Sequence, residues 1–152
     1  MIQAFAAQFR SASMASATLL ALSICAGGVR AQQCQAYNPE LLPAAGEVSG
    51  TLSDKDIPTG QGGFARDYTV TLTAGDNVAI DLTSDGFDTI VTLLSKDGAT
   101  VAENDDGPDG STNSLLFTRI KDAGTYIVRV RAFGETTGGE FKLKVTRLRP
   151  VQ

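Results

Sequence analysis

The chain has no histidine and no tryptophan, and only two of its 152 residues are cysteines. Without imidazole there can be no Ser-His-Asp or Cys-His machinery and no histidine-built zinc site. The absence of tryptophan, in a domain this small, argues against a sugar-cleaving cleft built around paired carboxylates. Cys25 falls in a segment expected to be removed, which leaves Cys34 alone. A single thiol cannot staple its own fold in an oxidising compartment, so Cys34 either pairs between chains or sits in an unstructured lead-in. No run is long and apolar enough for a comfortable membrane span. Gly60, Gly62 and Gly63 are followed by no Lys-Ser/Thr pair and no helix pattern, so they form a flexible turn and not a phosphate cradle. Phe87-Asp88-Thr89 opens like an aspartic protease signature, but Ile90 replaces the glycine and no second copy follows.

What is present begins with a leader. Arg10, a run of small and apolar residues, and Val29-Arg30-Ala31 together read as a secretory signal peptide, residues 1–31, cut before Gln32. Its apolar core is too short for a membrane helix, so no span is expected in the mature chain. Removing Arg10 and Arg30 takes the formal net charge from −4 to −6. That balance argues against nucleic acid as a partner. The expected location is secreted or periplasmic.

Residues 32–46, with Pro39 and Pro43, read as an extended lead-in to one domain at 47–149. Glu47 to Leu52 is a short first strand. Period-two alternation is plain at 67–72, 77–82, 126–131 and 141–146. The first two of these read as one hairpin and the last two as another. Thr89 to Ser95 (TIVTLLS) suits a strand covered on both faces, and Lys96-Asp97-Gly98 turns it into Thr100-Val101-Ala102. Ser114 to Ile120 is a further strand, although Leu115, Leu116 and Phe117 leave its facing open. About eight short strands separated by turn residues, with no helical period, predict an all-β antiparallel β-sandwich.

The stretch from Val101 to Ser114, VAENDDGPDGSTNS, is the main irregular feature. Glycine and proline supply turn geometry there, and crowded Asp and Asn oxygens suit a hard cation such as calcium. The ligands expected are Asn104, Asp105 and Asp106, joined by Asp88 or Asn113. A solvated turn is the competing reading.

The chain is also polarised. Residues 32–114 hold 3 basic and 14 acidic residues, whereas 115–152 hold 8 basic and 3 acidic. Arg129, Arg131, Lys142 and Lys144 occupy outward phases of two strands. They would make one basic partner-binding face if those strands pair; ordinary solvation and guarding of strand edges is the alternative. Among the aromatics, Tyr37, Phe64, Phe87 and Phe133 fall in loops or at strand ends and are the candidates for exposed rings, although the favoured reading is that they plug the ends of the sandwich.

The order of several short motifs is familiar: Gly50-Thr51-Leu52, Asp67-Tyr68, Leu72-x-Ala74-Gly75-Asp76, Phe87-Asp88, Asn104-Asp105-Asp106-Gly107, Asn113-Ser114, then Gly124-Thr125-Tyr126 with Val128 and Val130. Together, from about Glu47 to Val145, they resemble the bacterial pre-peptidase C-terminal domain family. The resemblance implies a jelly-roll-like sandwich that accompanies secreted peptidases; some members bind calcium and protein substrate. No peptidase precedes the domain here, so a stand-alone copy is expected. The family's collagenase modules hold calcium near the domain start, where Asp54, Asp56 and Asp67 form a competing site. The function expected is a secreted, non-catalytic module, calcium-binding, that engages an extracellular protein or polymer. A carbohydrate-binding module for envelope or extracellular polysaccharide is the alternative.

Overall fold

The computed structural model describes residues 37–60, 62–108, 110–134 and 138–148. The expected leader, Cys25, Cys34 and Asp109 therefore lie outside the described residues. So do residues 32–36 of the lead-in, residue 149 at the end of the expected domain, and residues 150–152 after it. Among the described residues there is no helix, hence none long and apolar enough to cross a membrane.

Among the described residues ten strands, where about eight were expected, form the two sheets of the expected all-β sandwich. In chain order they are β1 (Glu40–Leu41), β2 (Glu47–Thr51), β3 (Ile57–Pro58), β4 (Phe64–Leu72) and β5 (Asn77–Thr83). There follow β6 (Thr89–Ser95), β7 (Thr100–Asn104), β8 (Ser114–Arg119), β9 (Gly124–Ala132) and β10 (Glu140–Leu148). A six-stranded sheet runs β1-β4-β9-β6-β7, with β3 added beside β4; a four-stranded sheet runs β2-β10-β5-β8. Every pairing is antiparallel except β1 on β4, where the lead-in adds a short parallel strand.

Alternation decides which residues fill the space between the sheets. Tyr68, Val70 and Leu72 of β4, Val78, Ile80 and Leu82 of β5, Val128 and Val130 of β9, and Phe141, Leu143 and Val145 of β10 form one buried cluster. At roughly 25 cal/mol per Å² of apolar surface removed from water, this cluster is the main favourable term of the fold. Tyr68 and Phe141 meet across it edge to face, ring centroids 6.4 Å apart. β6 is buried along both of its faces except at Ser95, as its unbroken apolar run implies.

The two expected hairpins do not form. β4 pairs with β1, β3 and β9, whereas β5 pairs with β10 and β8. The turn at 73–76 thus carries the chain from one sheet to the other. β9 and β10 likewise belong to different sheets. The reason is that period two reports a strand with one buried face and says nothing of which strand lies beside it. Both strands of each pair bury that face against the shared core, but from opposite sides. Only β6 and β7 form the adjacent pair that their turn suggested, with a register shift at Leu93/Leu94.

Candidate functional site

The separation of β9 from β10 corrects the expected basic face. Arg129 and Arg131 stand on the outer side of the six-stranded sheet, Lys142 and Lys144 on the outer side of the four-stranded one. Three of the four cations are also engaged. Arg129 donates from Nε and Nη2 to both carboxylate oxygens of its cross-strand partner Asp67, each at 2.8 Å. The Tyr37 hydroxyl donates to the same carboxylate, and the Asp67 side chain is fully buried. Burial first, then the bond to Asp67 and its negative charge, push the Tyr37 hydroxyl up to about 12. Arg131 donates to Glu103 at 3.2 Å, and Thr92 donates to the same carboxylate at 2.7 Å. The outer side of the six-stranded sheet is therefore a row of charges satisfied by one another. On the other sheet Lys144 pairs with Glu47 at 2.7 Å, a bond that raises the ammonium's proton affinity.

The acids near the domain start are similarly committed. Asp56 accepts from Arg66 Nε at 2.7 Å and Nη2 at 3.1 Å, and from the Ser53 backbone N–H at 2.8 Å. Arg66 lies on the inward phase of β4, so this fork plugs one mouth of the sandwich. With Asp56 and Asp67 both ion-paired, Asp54 is left without partners among its expected co-ligands, and a metal there does not fit.

The acidic loop does a different job. The Asn104 side-chain N–H group donates to the backbone carbonyls of Asp106 at 2.8 Å and Leu115 at 2.7 Å. The Leu115 N–H in turn donates to the Asp106 carbonyl at 3.1 Å. Leu115 is the residue of edge strand β8 whose backbone groups point away from β5, so the loop caps the start of an open sheet edge. Beneath it the Thr89 and Ser114 hydroxyls, both buried, lie 2.6 Å apart. Asn113 accepts the Ser84 N–H at 2.9 Å through its side-chain oxygen. Asp88 accepts the Phe133 N–H through its backbone carbonyl. The Asp105 and Asp106 carboxylates are exposed and unpaired among the described residues. Among those residues no three acidic, cysteine or histidine side chains converge closely enough to hold a metal.

A concavity lies elsewhere, on the outer side of the four-stranded sheet. A cleft of about 840 Å³ is lined by Ser49 and Thr51 of β2, Glu140 and Lys142 of β10, Thr83 of β5 and Asp85 of the loop that follows. A second cleft, of about 360 Å³, continues towards Glu47, Asp81 and Lys144 and shares Ser49, Thr83 and Lys142 with the first. Those three are direct register partners, Ser49 opposite Lys142 and Lys142 opposite Thr83. They form a hydroxyl–ammonium–hydroxyl row at the waist of one groove. Lys142, Glu140 and Asp85 enter no ion pair among the described residues.

The groove's rim is fixed from beneath. The Ser84 hydroxyl donates to the Glu140 carbonyl at 2.7 Å and accepts the Gly86 and Phe87 N–H groups at 3.1 and 3.3 Å. Gly138, at φ +101°, lets the chain pass over Leu52, whose carbonyl oxygen would lie 2.5 Å from any Cβ there. Farther along the same face stand Ala79 and, opposite it on β8, Phe117. At 62% Phe117 is the most exposed aromatic ring described, ahead of Tyr37 at 56% and Phe133 at 53%. Phe87 is buried in the core and Phe64 packs against it. Of the four candidate rings, Phe64 and Phe87 pack at the core as the plugging reading has it, Tyr37 and Phe133 are exposed, and Phe117 joins them. Its signal in the sequence was its phase with Leu115, hidden within a run of three apolar residues.

The architecture is thus that of an antiparallel β-sandwich domain with a preformed polar groove on one sheet and a self-neutralised surface on the other. Residues 65–132, the stretch from β4 to β9, match the family described as the bacterial pre-peptidase C-terminal domain, the family that the ordered motifs resemble. Among solved structures, the chain resembles the pre-peptidase C-terminal domain of a collagenase from Bacillus anthracis, at 14% identity and TM-score 0.55, covering 72% of this chain and 95% of that one. It also resembles Aeromonas hydrophila PliG, a periplasmic lysozyme inhibitor of g-type lysozyme, at 13% identity and TM-score 0.53, covering 73% of this chain and 96% of that one. At these identities the likeness is one of fold. No curated protein matches the chain.

Proposed function

We propose that this chain is an extracytoplasmic, non-catalytic module that binds another protein through the outer side of its four-stranded sheet. The observation that carries this reading is the groove at Ser49, Lys142 and Thr83: it is concave, its rim is held by hydrogen bonds, and its charges at Lys142, Glu140 and Asp85 enter no ion pair among the described residues. A preformed site of this kind binds without the cost of ordering itself. The two structural neighbours lend support, one being a domain of a collagenase and the other an inhibitor of a lysozyme. The leader read at 1–31 and the periplasmic neighbour favour a place outside the cytoplasm. In the non-catalytic reading, the charged groups removed from water, Asp67 with Arg129 and Asp56 with Arg66, serve as fold-holding ion pairs.

A second reading, binding of envelope or extracellular polysaccharide, is favoured by one observation. Phe117 presents its ring beside Ala79 on the same face, and an exposed ring next to a small residue is a platform on which a sugar could stack. Calcium belongs to this proposal only at the acidic loop. Asp105 and Asp106 are the free donors there, and an ion would have to draw them together with Asp88.

The experiment is capture from the organism's own culture fluid and periplasmic extract with the immobilised chain, beside a glycan array. Protein capture lost on Lys142→Glu/Glu140→Lys is the expected result. Glycan binding that is lost on Phe117→Ala, with no protein captured, would instead establish the second reading.

A further inference from the structure

We propose that the partner presents an extended segment whose side chains on one face read basic, acidic, basic, apolar at every second residue. This deepens the protein-binding reading and rests on it. The four-stranded sheet sets its outward residues in parallel rows across β2, β10, β5 and β8. The first row holds Thr51 and Glu140, with Asp85 at its end, and is acidic. The second is Ser49, Lys142 and Thr83, with one free ammonium between two hydroxyls. The third is Glu47, Lys144, Asp81 and Leu115; Lys144 is bound by Glu47, which leaves Asp81 as the excess charge. The fourth is Thr146, Ala79 and Phe117, which is apolar at the ring.

Rows on one face of a sheet are two residues apart, about 6.8 Å. A partner strand lying over β5, with β10 on one side and β8 on the other, carries its own side chains at that same spacing. Complementarity then fixes its order: a basic group against Glu140 and Asp85, a carboxylate against Lys142, a basic group against Asp81, and an apolar side chain on Phe117. The alternation of sign matters more than any one contact. Exposed pairs contribute little individually, but a strand shifted by one row sets two of its three charges against like charge. The groove thereby selects register as well as composition, and the aromatic ring supplies the desolvated anchor that such surfaces need.

The test uses two cyclised β-hairpin peptides, one displaying Lys, Glu, Lys and Leu at alternate positions of one face, the other Glu, Lys, Glu and Leu. Their affinities for the full chain are measured by fluorescence anisotropy, and the contact surface by amide chemical shifts. The first hairpin is expected to bind on the order of tenfold tighter, with shifts confined to β2, β10, β5 and β8. In Lys142→Glu/Glu140→Lys, both exposed positions, the preference should narrow or invert, with melting curves confirming that the fold is intact. Equal affinity for the two hairpins, or a preference indifferent to the double exchange, would overturn the charge order. If a natural partner is nonetheless captured on this face, the protein-binding reading survives that failure. Shifts confined to the six-stranded sheet would remove both.

Discussion

Asp67 and Arg129 face each other directly across β4 and β9, joined by two parallel bonds of 2.8 Å, with the carboxylate fully buried and the guanidinium about one-third exposed. Geometry of this kind is the strong form of an ion pair. Removing one member leaves the other charged and dry, and that penalty is larger than the pair's own net worth. Arg129→Ala is therefore expected to destabilise the fold by about 3 kcal/mol, near the lower end for a buried pair because Arg129 keeps some water. Urea denaturation measures it. A loss within about 0.5 kcal/mol, the scatter of ordinary surface substitutions, would mean that the pair is merely a surface contact.

Tyr37 gives the same cluster a pH signature. Its hydroxyl ionises near 10 when free and at about 12 in the folded chain, because it is partly desolvated and donates to the Asp67 carboxylate. A raised folded value means that the protonated form holds the contact. The contribution is complete below pH 10 and is lost as pH rises towards 12. Stability should thus decline across that window, and Tyr37→Phe should flatten the decline. Melts of the two proteins across the same pH range decide it; parallel curves would detach Tyr37 from the cluster.

Gly50 lies where β2 passes closest to the mouth plug. A Cβ there would come within 2.8 Å of Phe141 Cζ and 3.1 Å of Arg66 Nη1. Phe141 is held edge to face by Tyr68, and Arg66 is forked to Asp56, so neither has free room. Gly50→Ala is expected to cost about 1–3 kcal/mol by overpacking, although an exposed strand position would tolerate it. The control is Ser49→Ala, one residue away and facing outward, which should change the midpoint little. Equal midpoints for both variants would show that the mouth yields.

How far the sequence reveals this molecule depends on what each residue's neighbours can report. Alternation at 67–72 or 141–146 is set by burial of one face, so strands and core were legible from the chain alone. Pairing was not, because Lys142 and Arg129 carry no mark of the sheet they will join; only the tertiary register assigns them to opposite surfaces. Gly50 stood out as part of a familiar motif, yet its reason, the ring of Phe141 some ninety residues later, is a through-space fact. Ile127 shows the limit of phase itself: it lies on the outward phase of β9 and is buried nonetheless. The groove was illegible for the same reason, since Ser49, the pair Thr83 and Asp85, and Lys142 come from three separate stretches of the chain and none is unusual in its own.

The acidic loop holds the last test, since its residues divide into those that staple the fold and those that remain free. Asn104 bridges the Asp106 and Leu115 carbonyls with its side-chain N–H group. Asn104→Ala should therefore cost about 1 kcal/mol whether or not calcium is present, because the Leu115 carbonyl loses its partner while the Asp106 carbonyl keeps the Leu115 N–H. Asp105 and Asp106 keep free, exposed carboxylates, and exchanging both for Asn should leave the calcium-free melt nearly unchanged. If the loop gathers an ion, binding to the folded form alone adds about 2.7 kcal/mol at a hundredfold excess over the dissociation constant. For a domain of this size that is a rise of several degrees in Tm. The expected outcome is such a rise in excess calcium, reversed by chelator and absent from Asp105→Asn/Asp106→Asn. A wild-type melt indifferent to calcium would leave the loop with one task, the capping of β8 by Asn104. A rise that survives in the double variant would put the ion elsewhere.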